Sequence, residues 1–206
     1  MFNKKSGFTV IELMLAMAFL AFVLLFVVTA LLQMMRTYNK GLIYKEINQA
    51  GRTISEELVR NLRTAKPGSV NIQQQTKGRL CIGGQTYAWN TGSSDQNKYT
   101  DNTPVAGIIR VTDTGGSLCT ETSGVLADIP RTETTDLAGG AVQMQRFSLQ
   151  QADGGNISII TMFLSTTGEN APTIEAGEII CPAGSAGEFC AVADLSTTVT
   201  TRNRGN

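Results

Sequence analysis

The sequence predicts an α+β chain. One long N-terminal helix, membrane-spanning in its first half, is followed by a C-terminal domain built on an antiparallel β-sheet. Three observations predict it. An apolar run from Phe8 to about Leu32 contains a single charge, Glu12. No proline occurs before Pro67, and apolar residues keep a helical spacing well beyond the run. After Pro67-Gly68 the pattern changes to short β-type segments punctuated by Gly, Asn and Asp.

The chain opens with Lys4-Lys5-Ser6-Gly7, then Phe8-Thr9-Val10-Ile11-Glu12-Leu13. Roughly 20 apolar residues cover a bilayer's hydrocarbon core, so a span over about 8–35 is long enough. A secretory signal has an apolar region of about 7–15 residues followed by a small-residue cleavage site. This run is longer and ends at Leu32-Gln33-Met34-Met35-Arg36 without such a site. A carboxylate in a membrane helix costs about 2.5–3.5 kcal/mol at the centre and less near an end. Glu12 lies near the end, and it still requires a partner. Lys4 and Lys5 predict a cytoplasmic N-terminus and a single-pass orientation.

From Arg36 to Lys66 the chain is polar, with Ile43, Ile47, Ala50, Ile54, Leu58 and Leu62 at steps of three and four. That is one face of an amphipathic helix. Glu56, Glu57, Arg60 and Arg63 lie off this stripe, with Glu56 and Arg60 spaced for an i, i+4 ion pair. Pro67-Gly68 is a stop. The expectation is one helix from about Phe8 to Ala65, about 85 Å long at the α-helical rise, loosened at Gly41 or Gly51.

The strands follow. Arg79–Ile82 and Gln85–Trp89 flank Gly83-Gly84, a hairpin signal. Gly92 to Thr103 is polar and reads as a surface loop. Ile108–Val111 is a short strand, and Leu118 to Asp136 is ambiguous, interrupted by Pro130. Val142–Gln150 and Ile157–Ser165 flank Asp153-Gly154-Gly155-Asn156, the strongest hairpin in the chain. Ile157 to Leu164 is apolar enough for a central strand against the helix. Glu178–Cys181 is an edge strand, and Ala191–Thr201 a final strand. The expectation is a single α+β unit over 67–206 with its sheet laid on the helix, in preference to a separate β-sandwich.

Charge and composition exclude several classes. There are 17 basic and 17 acidic residues and no histidine among the 206. The balance argues against nucleic acid as a partner, and His-based metal sites and general bases are ruled out. Neither a phosphate-binding Gly-Lys-Ser/Thr loop nor Gly-x-Ser-x-Gly occurs. Asp95, Asp101, Glu169, Glu175 and Glu178 sit in polar loops. Asp95-Gln96-Asn97 and Asp101-Asn102 offer oxygen ligands to calcium without matching a calcium loop, so a solvated loop is preferred. Tyr87, Trp89 and Tyr99 are assigned to buried or cross-strand packing ahead of a partner-contacting role. Asn156-Ile157-Ser158 fits the common glycosylation pattern and falls in a turn. No catalytic residue, metal ligand or cofactor is expected.

Cys81, Cys119, Cys181 and Cys190 all follow the apolar run, on the side of a membrane where disulfides persist. Four cysteines allow three pairings. Cys181–Cys190 as a short loop and Cys81–Cys119 as a longer one are favoured, and no pair has the Cys-x-x-Cys spacing of a zinc site.

Gly7, Phe8, Thr9, Val10, Ile11 and Glu12, behind a short basic leader and before a long apolar helix, resemble the N-terminal motif of the type IV pilin and pseudopilin superfamily. The motif covers about 35 residues, and the pattern extends to about Pro67. Glu57 to Ala65 and Thr197 to Asn203 are similar to the helix end and last strand of minor pilins. The resemblance implies a leader over 1–7, a helix over 8–66 and a β-rich head over 67–206. It implies cleavage after Gly7 by a prepilin peptidase and methylation of the new Phe8 amine. Glu12 would pair with the N-terminal amine of a neighbouring subunit in a helical filament. The implied partners are other pilin subunits, the peptidase, a membrane assembly platform and the cell membrane before assembly, with the assembled filament extracellular. Many major pilins carry a proline in the apolar half and this chain has none, which favours a minor pilin or a pseudopilin of a secretion or DNA-uptake machine. The reading from another class is a single-pass membrane-anchored adhesin or receptor with a β ectodomain.

Overall fold

The computed structural model describes residues 8–66, 69–72, 77–90, 97–105, 107–113, 118, 129–140, 142–168, 171–175, 178–182 and 189–200. Among these residues one α-helix, α1 (Val10–Thr64), and ten strands make an α+β fold. The helix is unbroken at both Gly41 and Gly51, against the expectation of loosening there. Its start and stop agree with the sequence reading to within two residues.

The chain divides into two compact units, Met1–Gly41 and Leu42–Asn206. In the first, every described side chain is exposed. The second holds the rest of α1 and all the strands, and it carries the core.

The strands form two principal sheets and a ribbon, where the sequence reading expected one sheet. A five-stranded antiparallel sheet runs β1 (Val70–Ile72), β2 (Lys77–Ile82), β3 (Gln85–Asn90), β4 (Ile108–Thr112) and β5 (Thr134–Asp136) in chain order. A three-stranded sheet is made by β6 (Val142–Ala152), β7 (Ile157–Thr166) and β10 (Val192–Thr200), with β7 central. β8 (Thr173–Glu175) and β9 (Glu178–Ile180) pair with each other, and among the described residues with no other strand. Both predicted hairpins form. Gly83 and Gly84 take positive φ of 54° and 87° between β2 and β3, which a two-residue hairpin turn requires. Asp153 (φ 52°) and Gly154 (φ 65°) turn β6 into β7. The ambiguous stretch contributes a bridge at Ile129, a short 3-10 turn at Arg131–Glu133, and β5.

The main core is a meeting of three surfaces. Ile47, Ile54, Leu58 and Leu62 of α1 pack with Leu80, Ile82, Tyr87 and Trp89 of the larger sheet and with Phe147, Ile160, Met162 and Leu164 of the smaller. Trp89 and Phe147 join the two sheets, their ring centroids 4.9 Å apart. The other face of the larger sheet is closed by a second cluster of Ala88, Ile109 and Val111 with Val105, Leu118 and Ile129. Two glycines permit close approach. A Cβ on Gly51 would run into Leu195 Cδ1 and come within 3.0 Å of Leu164 Cδ1, so α1 lies tightly against β7 and β10 there. A Cβ on Gly78 would occupy the place of the Trp89 indole, its cross-strand neighbour.

The ion pairs differ from the sequence reading. Glu56 pairs with Arg52 at 3.4 Å rather than with Arg60. Arg60 instead pairs with Glu57, and Glu57, expected on the solvent side, is buried.

Candidate functional site

The N-terminus of α1 is built around Thr9 and Glu12. Thr9 O accepts the first intrahelical bond, from Leu13 N–H at 3.2 Å, so Thr9 is the N-cap. Its backbone N–H and its hydroxyl both donate to Glu12 Oε2, at 2.9 and 2.8 Å. Glu12 N–H in turn points at Thr9 Oγ1, 3.4 Å away. This reciprocal arrangement is a capping box, in which a Thr and a Glu three residues on satisfy each other's exposed backbone donors. The partial positive charge of the helix start adds to it. Sequence reading required a partner for Glu12 and overlooked this one, although the spacing Thr9-Val10-Ile11-Glu12 was its signal.

Glu12 Oε1 accepts no hydrogen bond among the described residues. It remains available to a donor from outside the chain. Phe8 is 83 % exposed, and Phe8, Glu12, Leu15, Phe19 and Val23 share one helical face. Gly7 lies outside the described residues. The helix from Val10 onward is long and apolar enough to cross a membrane, and none of its most apolar window is buried within the chain. A helix apolar on all sides is stable only when lipid or other helices cover it.

A second charged cluster lies where α1 meets the five-stranded sheet. Arg110 Nη1 of β4 donates to Glu57 Oε1 at 2.6 Å. Arg60 Nη2 donates to Glu57 Oε2. Asn61 Nδ2 donates to Glu57 Oε1 at 3.1 Å and to the Tyr87 hydroxyl. Burial pushes the Glu57 carboxyl up, but the bonds from Arg110 and Asn61 and the two guanidinium charges together hold it below the usual carboxylate value. Burial pushes the Tyr87 phenol up to about 12. Both Glu57 oxygens are bonded, so the cluster fixes α1 to the sheet and offers no reactive group. Sequence spacing gave no sign of it, because Arg110 is 53 residues away.

The remaining site candidates resolve individually. Cys181 and Cys190 form a disulfide with a Cα separation of 5.7 Å, as favoured. Cys81 is also disulfide-bonded, and Cys119 lies outside the described residues. Tyr87 and Trp89 are buried, and Tyr99 is partly buried beneath the Arg131 guanidinium, 4.4 Å from its ring centroid.

The loop considered for calcium directs its oxygens to protein donors. Asn97 is buried, its Oδ1 accepting from Arg79 Nε at 2.9 Å and its amide donating to Trp89 O at 2.8 Å. Asp101 Oδ1 accepts from Thr103, and Oδ2 faces Arg131 Nε at 3.2 Å. The Thr103 bonds, side chain first, and then Arg131 lower the Asp101 carboxyl. Asn102 Oδ1 accepts from Lys98 Nζ at 3.1 Å. Asp95 and Glu169 lie outside the described residues, and Glu178 is exposed on β9. Among the described residues no group of three His, Cys, Asp or Glu could hold a metal. Comparison with protein-family models, with curated proteins and with solved structures returns no match for this chain.

Proposed function

We propose that the chain is a minor subunit of a type IV pilin-like filament. The reading rests on one observation: Gly7-Phe8-Thr9-Val10-Ile11-Glu12 leads into α1, whose apolar side chains as far as Met35 are exposed on every side. In this reading the precursor is held in the membrane by about 8–35, with its N-terminus cytoplasmic. A prepilin peptidase cuts after Gly7, and an assembly platform extracts the subunit into a helical filament. The apolar helices become the filament core and the β domain faces outward. The work is assembly rather than catalysis.

Glu12 gives the assembly its register. Thr9 holds one carboxylate oxygen and leaves Oε1 for the cationic amine of a neighbouring Phe8. Two unit charges about 4 Å apart attract by roughly 4 kcal/mol at an effective dielectric of about 20. A subunit out of register leaves both charges buried and unpaired, at a cost of about 3–5 kcal/mol. The absence of proline in the apolar half and the irregular head favour a minor subunit over a major one.

The experiment is mass spectrometry of the N-terminus of protein recovered from membranes, with and without a prepilin peptidase. A methylated Phe8 that appears only with the peptidase is the expected result. An intact Met1, or a cut beyond Leu32, overturns the reading and leaves a membrane-anchored β ectodomain. A large residue at Gly7 should block maturation, and Glu12→Val should give a processed subunit that assembles poorly. A pseudopilin role is separated by filament length and by whether loss of the subunit stops secretion rather than surface piliation.

A further inference from the structure

We infer that the free edge of β10, together with the flank of α1 beside it, is a strand-addition site for an extended acidic segment of a partner protein. The inference concerns the second compact unit alone and is independent of the filament reading.

β10 is the outermost strand of its sheet and pairs with β7 along all its residues, Val192 to Thr200. On its other side alternate residues direct their N–H and C=O groups outward, and no backbone bond from another described element meets them. Unpaired edges of this kind recruit strands, and chains guard them with short length, Lys, Pro, bulges or a covering element. Among the described residues the other edges are guarded, those of the β8–β9 ribbon by strands of three residues each. β1 and β5 have three residues each. β6 carries a register shift between Met144 and Arg146, and its Gln143 and Phe147 reach Asn90 and Trp89 of β3. β10 is nine residues long, contains no Lys, Arg or Pro, and has no register shift; its one charge is the exposed Asp194, near the end away from Thr200.

The helix supplies the second wall. Gly51 meets Leu195, and the turns from Glu56 to Thr64 border a groove with Thr200. α1 and β10 therefore run side by side in the same direction. Arg52, Glu56, Val59 and Arg63, at steps of four, three and four, form one stripe along this flank. Arg52 and Glu56 neutralise each other. Val59 is half-buried, and Arg63 has no ion pair among the described residues. Arg60, which also lines the groove, shares the single Glu57 carboxylate with Arg110. At the Thr200 end of β10, six residues from Asp194, an added strand meets an apolar position at Val59 and excess positive charge at Arg63 and Arg60. Main-chain bonds hold such a segment, and the alternate side chains that face the groove select it.

The test uses the full chain in detergent micelles and two synthetic peptides, TVTVTETET and TVTVTKTKT. Peptide affinity is measured by titration, and hydrogen exchange is followed at the β10 amides. The expected result is protection of alternate β10 amides, with the acidic peptide binding at least tenfold more tightly than the basic one. Arg63→Glu, at an exposed position, should reverse that order. Equal affinity for the two peptides, or an absence of protection at β10, overturns the inference. Protection that grows with protein concentration alone also overturns it, because the occupant is then a second copy of this chain.

Discussion

Glu57 shows most clearly how charge and burial oppose each other at one residue. Its carboxylate is buried where α1 meets the five-stranded sheet, yet Arg110, Arg60 and Asn61 hold it ionised. Removing one partner of a buried hydrogen-bonded pair leaves the other unpaired. Glu57→Gln should therefore lower stability by about 1–3 kcal/mol in urea unfolding at neutral pH. The pH dependence has a definite sign. A folded-state value below the ordinary 4.5 stabilises above 4.5 and loses that contribution as pH falls through the folded value. The gap between Glu57→Gln and wild type should narrow in that acid window; a gap constant from neutral pH to below it would show that the ion pairs contribute nothing. Tyr87 acts at the other end of the scale. Its phenol ionises near 10.0 when unfolded and near 12 when folded, so its contribution is full below 10.0 and is lost as pH rises between them. Tyr87→Phe should flatten that alkaline limb. Thr9 is legible as a cap, and its substitution separates two roles. Thr9→Val should raise amide exchange over residues 10–13, equivalent to about 1 kcal/mol of helix start, while Thr9→Ser leaves it unchanged.

The elements were largely legible because periodicity carries them. The stripe from Ile43 to Leu62 identified the buried face of α1, and Asp153-Gly154-Gly155-Asn156 placed the β6–β7 turn. What stayed hidden was the pairing between elements. The division into two sheets depends on β6 turning to β3 and α1 through Phe147 and Gln143, and no local pattern encodes that. Gly51 is the same lesson at one position of a helix. In sequence it reads as a weak point, since glycine costs about 1 kcal/mol against alanine in a helix interior. In the fold it is the point of closest approach to Leu195 and Leu164. Gly51→Ala should therefore lower the midpoint of thermal unfolding despite its better propensity, whereas Gly41→Ala, with open space around it, should not lower it. Equal responses at the two sites would remove the packing explanation. The disulfide is a further tie, joining the end of β9 to the chain just before β10. Cys190→Ser should cost roughly 2–3 kcal/mol, mainly by freeing the unfolded chain.

At the scale of the whole molecule, the distribution of apolar surface divides the chain more sharply than secondary structure does. The sequence showed a run able to span a membrane and a stop at Pro67, and α1 is one helix between them. Burial instead changes character within the helix. Large apolar side chains from Phe8 to Met35 are all exposed, whereas Ile47, Ile54, Leu58 and Leu62 are buried in the core. Among the described residues beyond Gly41 the exposed large apolar side chains are few and scattered: Leu42, Tyr44, Ile159, Ile174, Ile180 and Phe189. Single exposed apolar side chains are normal for a protein in water, and a long continuous surface of them is not. The second unit also contains every strand among the described residues and both core clusters. A fragment of residues 42–206 should therefore be monomeric without detergent, keep its strand content by circular dichroism, and unfold in a single cooperative transition. The full chain should stay in solution only with detergent or lipid. A fragment that aggregates, or melts without a cooperative transition, would show that the second unit depends on the first half of α1, and the boundary at Gly41 would lose its meaning.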